Sequence, residues 1–259
     1  MVINLWCNEG LKEVEPKLNI SRESSERNMK YLAHHTPNLY RKEISATLDS
    51  LQQAWVPTDR FMKSLFKDNG ACLEGKITPQ TLMYHSFELA GLMQDVDYLG
   101  IDLYYLFNEE ELYQLWKYLN ARSYVYMGPS LKYGDRNLND AGNLLRNIVE
   151  TADRVIAGEE KVDATLRFGH DSCILPLVSL MELKGADVRV PFWEAEGNWN
   201  ISKMSPMGTN LQLIFFKNKA GNVKVRVLYC EKDAGLPVKG APFYDWKDLR
   251  AFWMGKYQN

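Results

Sequence analysis

The spacing of apolar residues is helical over the first part of this chain of 259 residues and mixed over the rest, and that division restricts the folds open to it. Up to about residue 157 the apolar positions recur every three or four residues, the period of one helix face. Tyr40, Ile44, Leu48, Leu51 and Trp55 form one such stripe, which Pro57 ends. Thr58 and Asp59 cap a short helix carrying Phe61, Met62, Leu65 and Phe66 and ending at Asn69-Gly70. Thr78-Pro79 opens another, with Leu82, Met83, Phe87 and Ala90 inward. Asn108 before Glu109, Glu110 and Glu111 is a strong start signal, because a capping amide and three acids suit a helix N-terminus. Leu112, Leu115 and Leu119 follow as its buried stripe. Asn137 to Ala157 makes the last long helix, closed by Gly158.

Beyond it the pattern is mixed. Leu211 to Lys217 and Val223 to Cys230 alternate as strands, with Asn218 to Asn222 as the hairpin loop between them. Val223, Val225, Val227 and Tyr229 share one face; Lys224 and Arg226 take the other. Val188 to Trp193 is expected to be extended. Helices first and a mixed section afterwards predict an α/β fold: a three-layer core bearing a large helical cap. The expected division is 1–19 as part of the core, 20–157 as the cap and 158–259 as the C-terminal part of the core.

Composition excludes some roles. The formal net charge is −2 and no Lys/Arg run occurs, which argues against nucleic acid as a partner. No apolar run is long enough to span a bilayer. Met1 to Cys7 is too short, and lacks the charged start and cleavage site, to read as a secretion signal. Cys7, Cys72, Cys173 and Cys230 are scattered and show no metal-binding spacing, so they do not decide the compartment.

The densest chemical information lies in residues 164–184. Leu166 to Phe168 read as the end of a short strand, and Gly169 permits a sharp turn. His170 and Asp171 precede a helix with Ile174, Leu177, Val178 and Met181 on one face. A strand-to-helix turn aims free backbone N–H groups and a positive dipole end at whatever sits above it, a place suited to phosphate. His170 adds a donor and Asp171 a proton source, which together fit phosphate-ester cleavage. Arg167 and Ser172 flank the pair as candidate substrate-binding residues. On a strand, Arg167 points either toward the site or into an outer-face salt bridge.

Phe168-Gly169-His170-Asp171 followed by Leu175-Pro176-Leu177 resembles the C-terminal catalytic motif of the histidine acid phosphatases, the branch with phytases and multiple inositol polyphosphate phosphatases. The resemblance extends along the chain. Ser24-Ser25-Glu26-Arg27-Asn28-Met29-Lys30-Tyr31-Leu32 is similar to the segment after the family's first phosphate-binding half. Gly142-Asn143-Leu144-Leu145 resembles the helix before the His-Asp strand. Asn210 to Glu231 and Pro242-Phe243-Tyr244-Asp245-Trp246 resemble the closing hairpin and tail of bacterial members. The resemblance implies a phosphoglycerate-mutase-like core and a reaction through phosphohistidine without a cofactor. Asp171 would be its proton donor and His170 would bind phosphate.

One departure matters. The family's nucleophile lies in an Arg-His-Gly-x-Arg motif, and no Arg-His-Gly occurs in these 259 residues. Trp6 to Leu11 resembles the family's Phe-x-x-Gly-Leu-like segment, which is normally preceded by a phosphate-binding Arg. The chain is therefore expected to be the C-terminal part of such an enzyme, incomplete in its core, or a shortened paralogue. Its expected partners are a phosphorylated small molecule and a missing N-terminal half. Full-length relatives are often exported. The alternative reading is non-catalytic: a phosphate-binding module or pseudophosphatase.

Other candidates are weaker. His34 and His35 are adjacent and diverge on a helix, so they do not share a metal readily. His85 reads as a boundary residue, and Asp95, Asp97 and Asp102 lack a calcium-loop pattern. Trp193, Trp199, Trp246 and Trp253 are core or edge residues by default, although they could line a cleft. Metal-dependent phosphohydrolases that use a His-Asp pair need more His ligands than the four present. No metal site is therefore expected.

Overall fold

The computed structural model describes residues 9–23, 26–28, 32, 41–68 and 75–257. Its contacts divide the chain into two compact units, 38–123 and 1–37 with 124–259. Tyr40, His34, His35, Cys7, Cys72, Trp6 and the Asn69-Gly70 stop lie outside the described residues.

The smaller unit is helical. Helix α1 (Arg41–Trp55) buries Ile44 and Leu48, as their spacing requires. Helix α2 (Asp59–Leu65) buries Phe61 and Met62. Helix α3 (Pro79–Leu92) starts as expected, the Thr78 hydroxyl accepting the Thr81 N–H at 3.1 Å. Its buried face includes Tyr84 as well as Met83 and Ala90. Phe107 stacks on Phe61 at 5.6 Å between centroids and meets Phe87 edge-on, tying the helices together. Helix α4 (Glu109–Met127) begins with a closed capping box. The Asn108 side chain accepts the Glu111 N–H at 2.9 Å, and the Glu111 carboxylate accepts the Asn108 N–H at 3.0 Å.

In the larger unit, helix α5 (Gly134–Ala157) starts one turn earlier than its spacing predicts and ends at Gly158, whose φ of 83° is the left-handed conformation a helix stop uses. The sequence places 20–157 in one helical domain, whereas α5 packs against helix α6 (Asp171–Leu180) and helix α7 (Trp246–Tyr257) in the unit that holds the sheet. The reason is the width of its apolar stripe: Leu144, Leu145, Val149 and Ala152 all belong to the core shared with Leu177, Val178, Met181, Leu249 and Trp253.

The sheet is antiparallel. Strands β1 (Leu211–Lys217) and β2 (Val223–Tyr229) form the predicted hairpin, with Leu213 opposite Val227 and Phe215 opposite Val225. Strands β3 (Lys232–Asp233) and β4 (Phe243–Asp245) also pair with β2. Val223, Val225 and Val227 face the helices and are buried, whereas Lys224 and Arg226 point away, as the alternation requires. β1 lies at the sheet edge and pairs only with β2 among the described residues. Its Phe215 meets Trp246 at 5.2 Å on the inner side yet stays 36% exposed, although Trp246 and Val225 beside it are buried.

Two expected extended segments are not strands. Residues 164–170 have no ladder partner among the described residues, and Leu166 is 59% exposed. The alternation there is strand-like, but a strand also needs a hydrogen-bonding neighbour. Val188 to Val190 is irregular and leads into a short 3-10 turn, Phe192–Glu194. Its carbonyls are held by a side chain instead, the Tyr124 hydroxyl donating to Val188 at 2.7 Å. Trp199, Trp246 and Trp253 are core residues, and Trp193 is exposed.

Candidate functional site

Helix α6 explains how the His-Asp pair is held. Seven of its ten residues are buried: Cys173, Leu175, Pro176, Leu177, Val178, Ser179 and Leu180. Each large apolar side chain buried there contributes about 1.5–3 kcal/mol, so the helix is fixed on nearly all sides. Ser179 Oγ lies 2.9 Å from the Leu175 carbonyl and 2.8 Å from that of Ala186, which satisfies its hydroxyl inside the core. Only the first turn reaches solvent.

His170 occupies the N-cap position in an extended conformation (φ −116°, ψ 170°), and Asp171 is the first residue of the helix. The His170 side chain makes no capping hydrogen bond, and its carbonyl accepts the N–H groups of Cys173 (2.9 Å) and Ile174 (3.1 Å). The Asp171 carboxylate accepts the Ser172 N–H at 2.7 Å. His170 and Asp171 are both exposed, and Ser172 is half-buried. The helix therefore presents an imidazole and a carboxylate at its positive end with nothing in the described chain covering them. Gly169 is not demanded by the turn. Its φ is not positive, and a Cβ there would make only ordinary contacts, 3.6 Å to Cys173 Cβ and 3.8 Å to the Leu32 carbonyl. The turn is made by the extended N-cap instead.

Arg167 does not join this pair. Its guanidinium lies on α5, with Nε (3.0 Å) and Nη2 (2.8 Å) donating to Asn147 Oδ1 and Nη2 also donating to Thr151 Oγ1 (3.0 Å). Burial, with Arg154 adding to it, holds the guanidinium below its ordinary pKa. The sequence reading missed Asn147 and Thr151. Their signal was a polar pair four residues apart beside an apolar stripe. Cys173 Sγ donates to the Leu32 carbonyl at 2.8 Å, a packing and tethering role. Among the described residues Cys173 and Cys230 are free thiols, and no group of three His, Cys, Asp or Glu side chains is placed to hold a metal. No helix of the described residues is long and apolar enough to cross a membrane.

No family model and no curated protein matches the sequence. The fold does match solved structures. A multiple inositol polyphosphate phosphatase from Bifidobacterium longum, in complex with inositol hexasulfate, superposes with a TM-score of 0.72 at 15% identity, over 94% of this chain and 68% of that one. Its complex with phosphate gives 0.72 at 15%, over 96% and 70%. The apo form gives 0.64 at 16%, over 86% and 62%. The chain has the mixed helix-and-sheet fold of that phosphatase.

Proposed function

We propose that this chain is the C-terminal part of a phosphomonoester hydrolase of the histidine acid phosphatase kind, acting on inositol or sugar phosphates. The observation that carries the reading is the bare start of α6, with His170 at the N-cap and Asp171 at the first helical position. The likeness of fold to inositol polyphosphate phosphatases supports it.

The chemistry follows from those positions. A histidine supplied by a partner half attacks phosphorus. An N–P bond forms and the P–O bond to the leaving alcohol breaks. Asp171 gives its proton to the departing alkoxide, a contribution of roughly 10²–10⁴-fold. His170 donates a hydrogen bond to a phosphoryl oxygen as charge builds. Water then attacks the phosphohistidine, Asp171 takes a proton from it, and inorganic phosphate leaves. Asp171 accepts the Ser172 N–H through Oδ1, which leaves its other oxygen to carry the proton.

Trapping of phosphohistidine tests the proposal, with the chain alone and with an Arg-His-Gly-bearing N-terminal half supplied. The complemented pair should form the intermediate and the chain alone should not. In the complemented pair, Asp171→Asn should slow phosphorylation by alkyl phosphates about 10²–10⁴-fold and by activated aryl phosphates much less. Equal loss on both substrates would sink the general-acid role. Turnover by the chain alone would reveal a nucleophile of its own.

The absence of Arg-His-Gly from the sequence favours a second reading, a non-catalytic phosphate-binding module. It is preferred if inositol hexakisphosphate binds but no supplied half restores the phosphohistidine.

A further inference from the structure

Arg167 is half-buried three residues before His170, and its hydrogen bonds go to two neutral acceptors, Asn147 and Thr151. Neighbouring Arg154 takes the nearest carboxylate, its Nε donating to Glu160 at 2.5 Å, so Glu160 reaches Arg167 only through space and not by a hydrogen bond. A guanidinium taken partly out of water against neutral oxygens is a costly choice where a leucine or methionine could pack. Stability alone does not account for it.

What arginine supplies is a planar donor set of fixed direction. Two N–H groups on the single Asn147 oxygen set the plane of the guanidinium. The third bond, to Thr151 one turn further along α5, stops it from pivoting. Residues 164–170 need such a device because no strand ladder fixes them among the described residues. Downstream of His170, α6 is locked by its buried faces, so the segment upstream is the part left to be set.

We propose that Arg167 is a positioning residue: its grip on Asn147 and Thr151 fixes the segment that delivers His170 to the start of α6. The inference rests on the phosphate-site reading above for its functional meaning, but its geometry can be tested without a ligand.

The test uses the full chain and the NMR signal of the His170 ring, assigned with His170→Asn. Three variants separate geometry from charge. Arg167→Met removes both, Arg167→Lys keeps the charge, and Asn147→Ala keeps the arginine but removes the shared acceptor. Without ligand, the wild type should give one sharp His170 resonance and all three variants broadened or doubled ones. With inositol hexakisphosphate or inorganic phosphate as the probe, all three should bind about tenfold more weakly. Full rescue by Arg167→Lys, or wild-type behaviour of Asn147→Ala, would show that charge matters and the grip does not. Unchanged His170 signals in every variant, beside a lowered melting temperature, would make Arg167 a packing residue only and overturn the proposal. If the ligand-free signals respond while neither probe binds the wild type, the positioning inference stands and the phosphate reading falls.

Discussion

Helices α4 and α6 begin in opposite ways. At α4 the cap is closed from both sides. Asn108 and Glu111 exchange hydrogen bonds, and Glu111, almost fully buried, also accepts from Arg60 Nε at 2.9 Å. At α6 the N-cap side chain makes no capping hydrogen bond, and His170 and Asp171 face solvent although seven of the ten helix residues are buried. A closed start stabilises its helix. An open start on a rigid helix leaves donors and dipole free for something else. The difference lies in what surrounds each end, because both sequences carry an acid in the first turn.

The comparison breaks most easily at its structural side. Glu111→Ala removes the cap partner and the acceptor of Arg60, and should cost about 3 kcal/mol in urea unfolding. A cost no larger than that of His170→Ala would end the contrast. The functional side should be nearly silent in the same measurement. His170→Ala and Asp171→Ala should each change stability by less than about 1 kcal/mol, since neither side chain is buried. A larger loss would mean that α6 depends on the pair structurally. The smallest effect sets the scale of surface electrostatics. Arg226 bonds Asp233 through Nε at 2.6 Å and holds that carboxyl below the usual carboxylate range. Because the folded value is depressed, this pair contributes stability above the ordinary carboxylate pKa. That contribution is lost as pH falls through the folded value. Asp233→Asn should flatten the melting temperature slightly between about pH 5 and about pH 2. A change as large as that of Glu111→Ala would mean that surface pairs carry as much as closed caps.

Both helix starts were legible in the sequence, for different reasons. Asn108 with Glu111 is a local device, complete within four residues, and spacing alone finds it. His170-Asp171 was found from its context and its family resemblance. The hairpin was readable because the alternation of Val223, Val225 and Val227 survives burial on one face. What could not be read was non-local. Leu166 to Phe168 alternates like a strand, but pairing depends on a neighbour that local sequence does not name. The target of Arg167 lies 20 residues away on α5, and only the packed core brings the two together. Gly169 looked like a turn signal, yet the turn is made at His170 by ordinary extended angles.

The contact between α7 and α5 joins parts of the chain that are synthesised at different times. Trp246 Nε1 (3.1 Å) and Arg250 Nε (2.7 Å) both donate to the Asp153 carboxylate, and Leu249 and Trp253 close the core over Leu177 and Val178. These partners are made far apart in time. At about 5–20 residues per second, a ribosome finishes α6 roughly 3–13 seconds before α7 begins. Throughout that interval Leu144, Leu177 and Val178 have no Trp253 or Leu249 to cover them, however well each helix has formed. The growing chain therefore carries an uncovered apolar face for seconds. A factor that shields such faces during synthesis has its window between the completion of α6 and the arrival of α7.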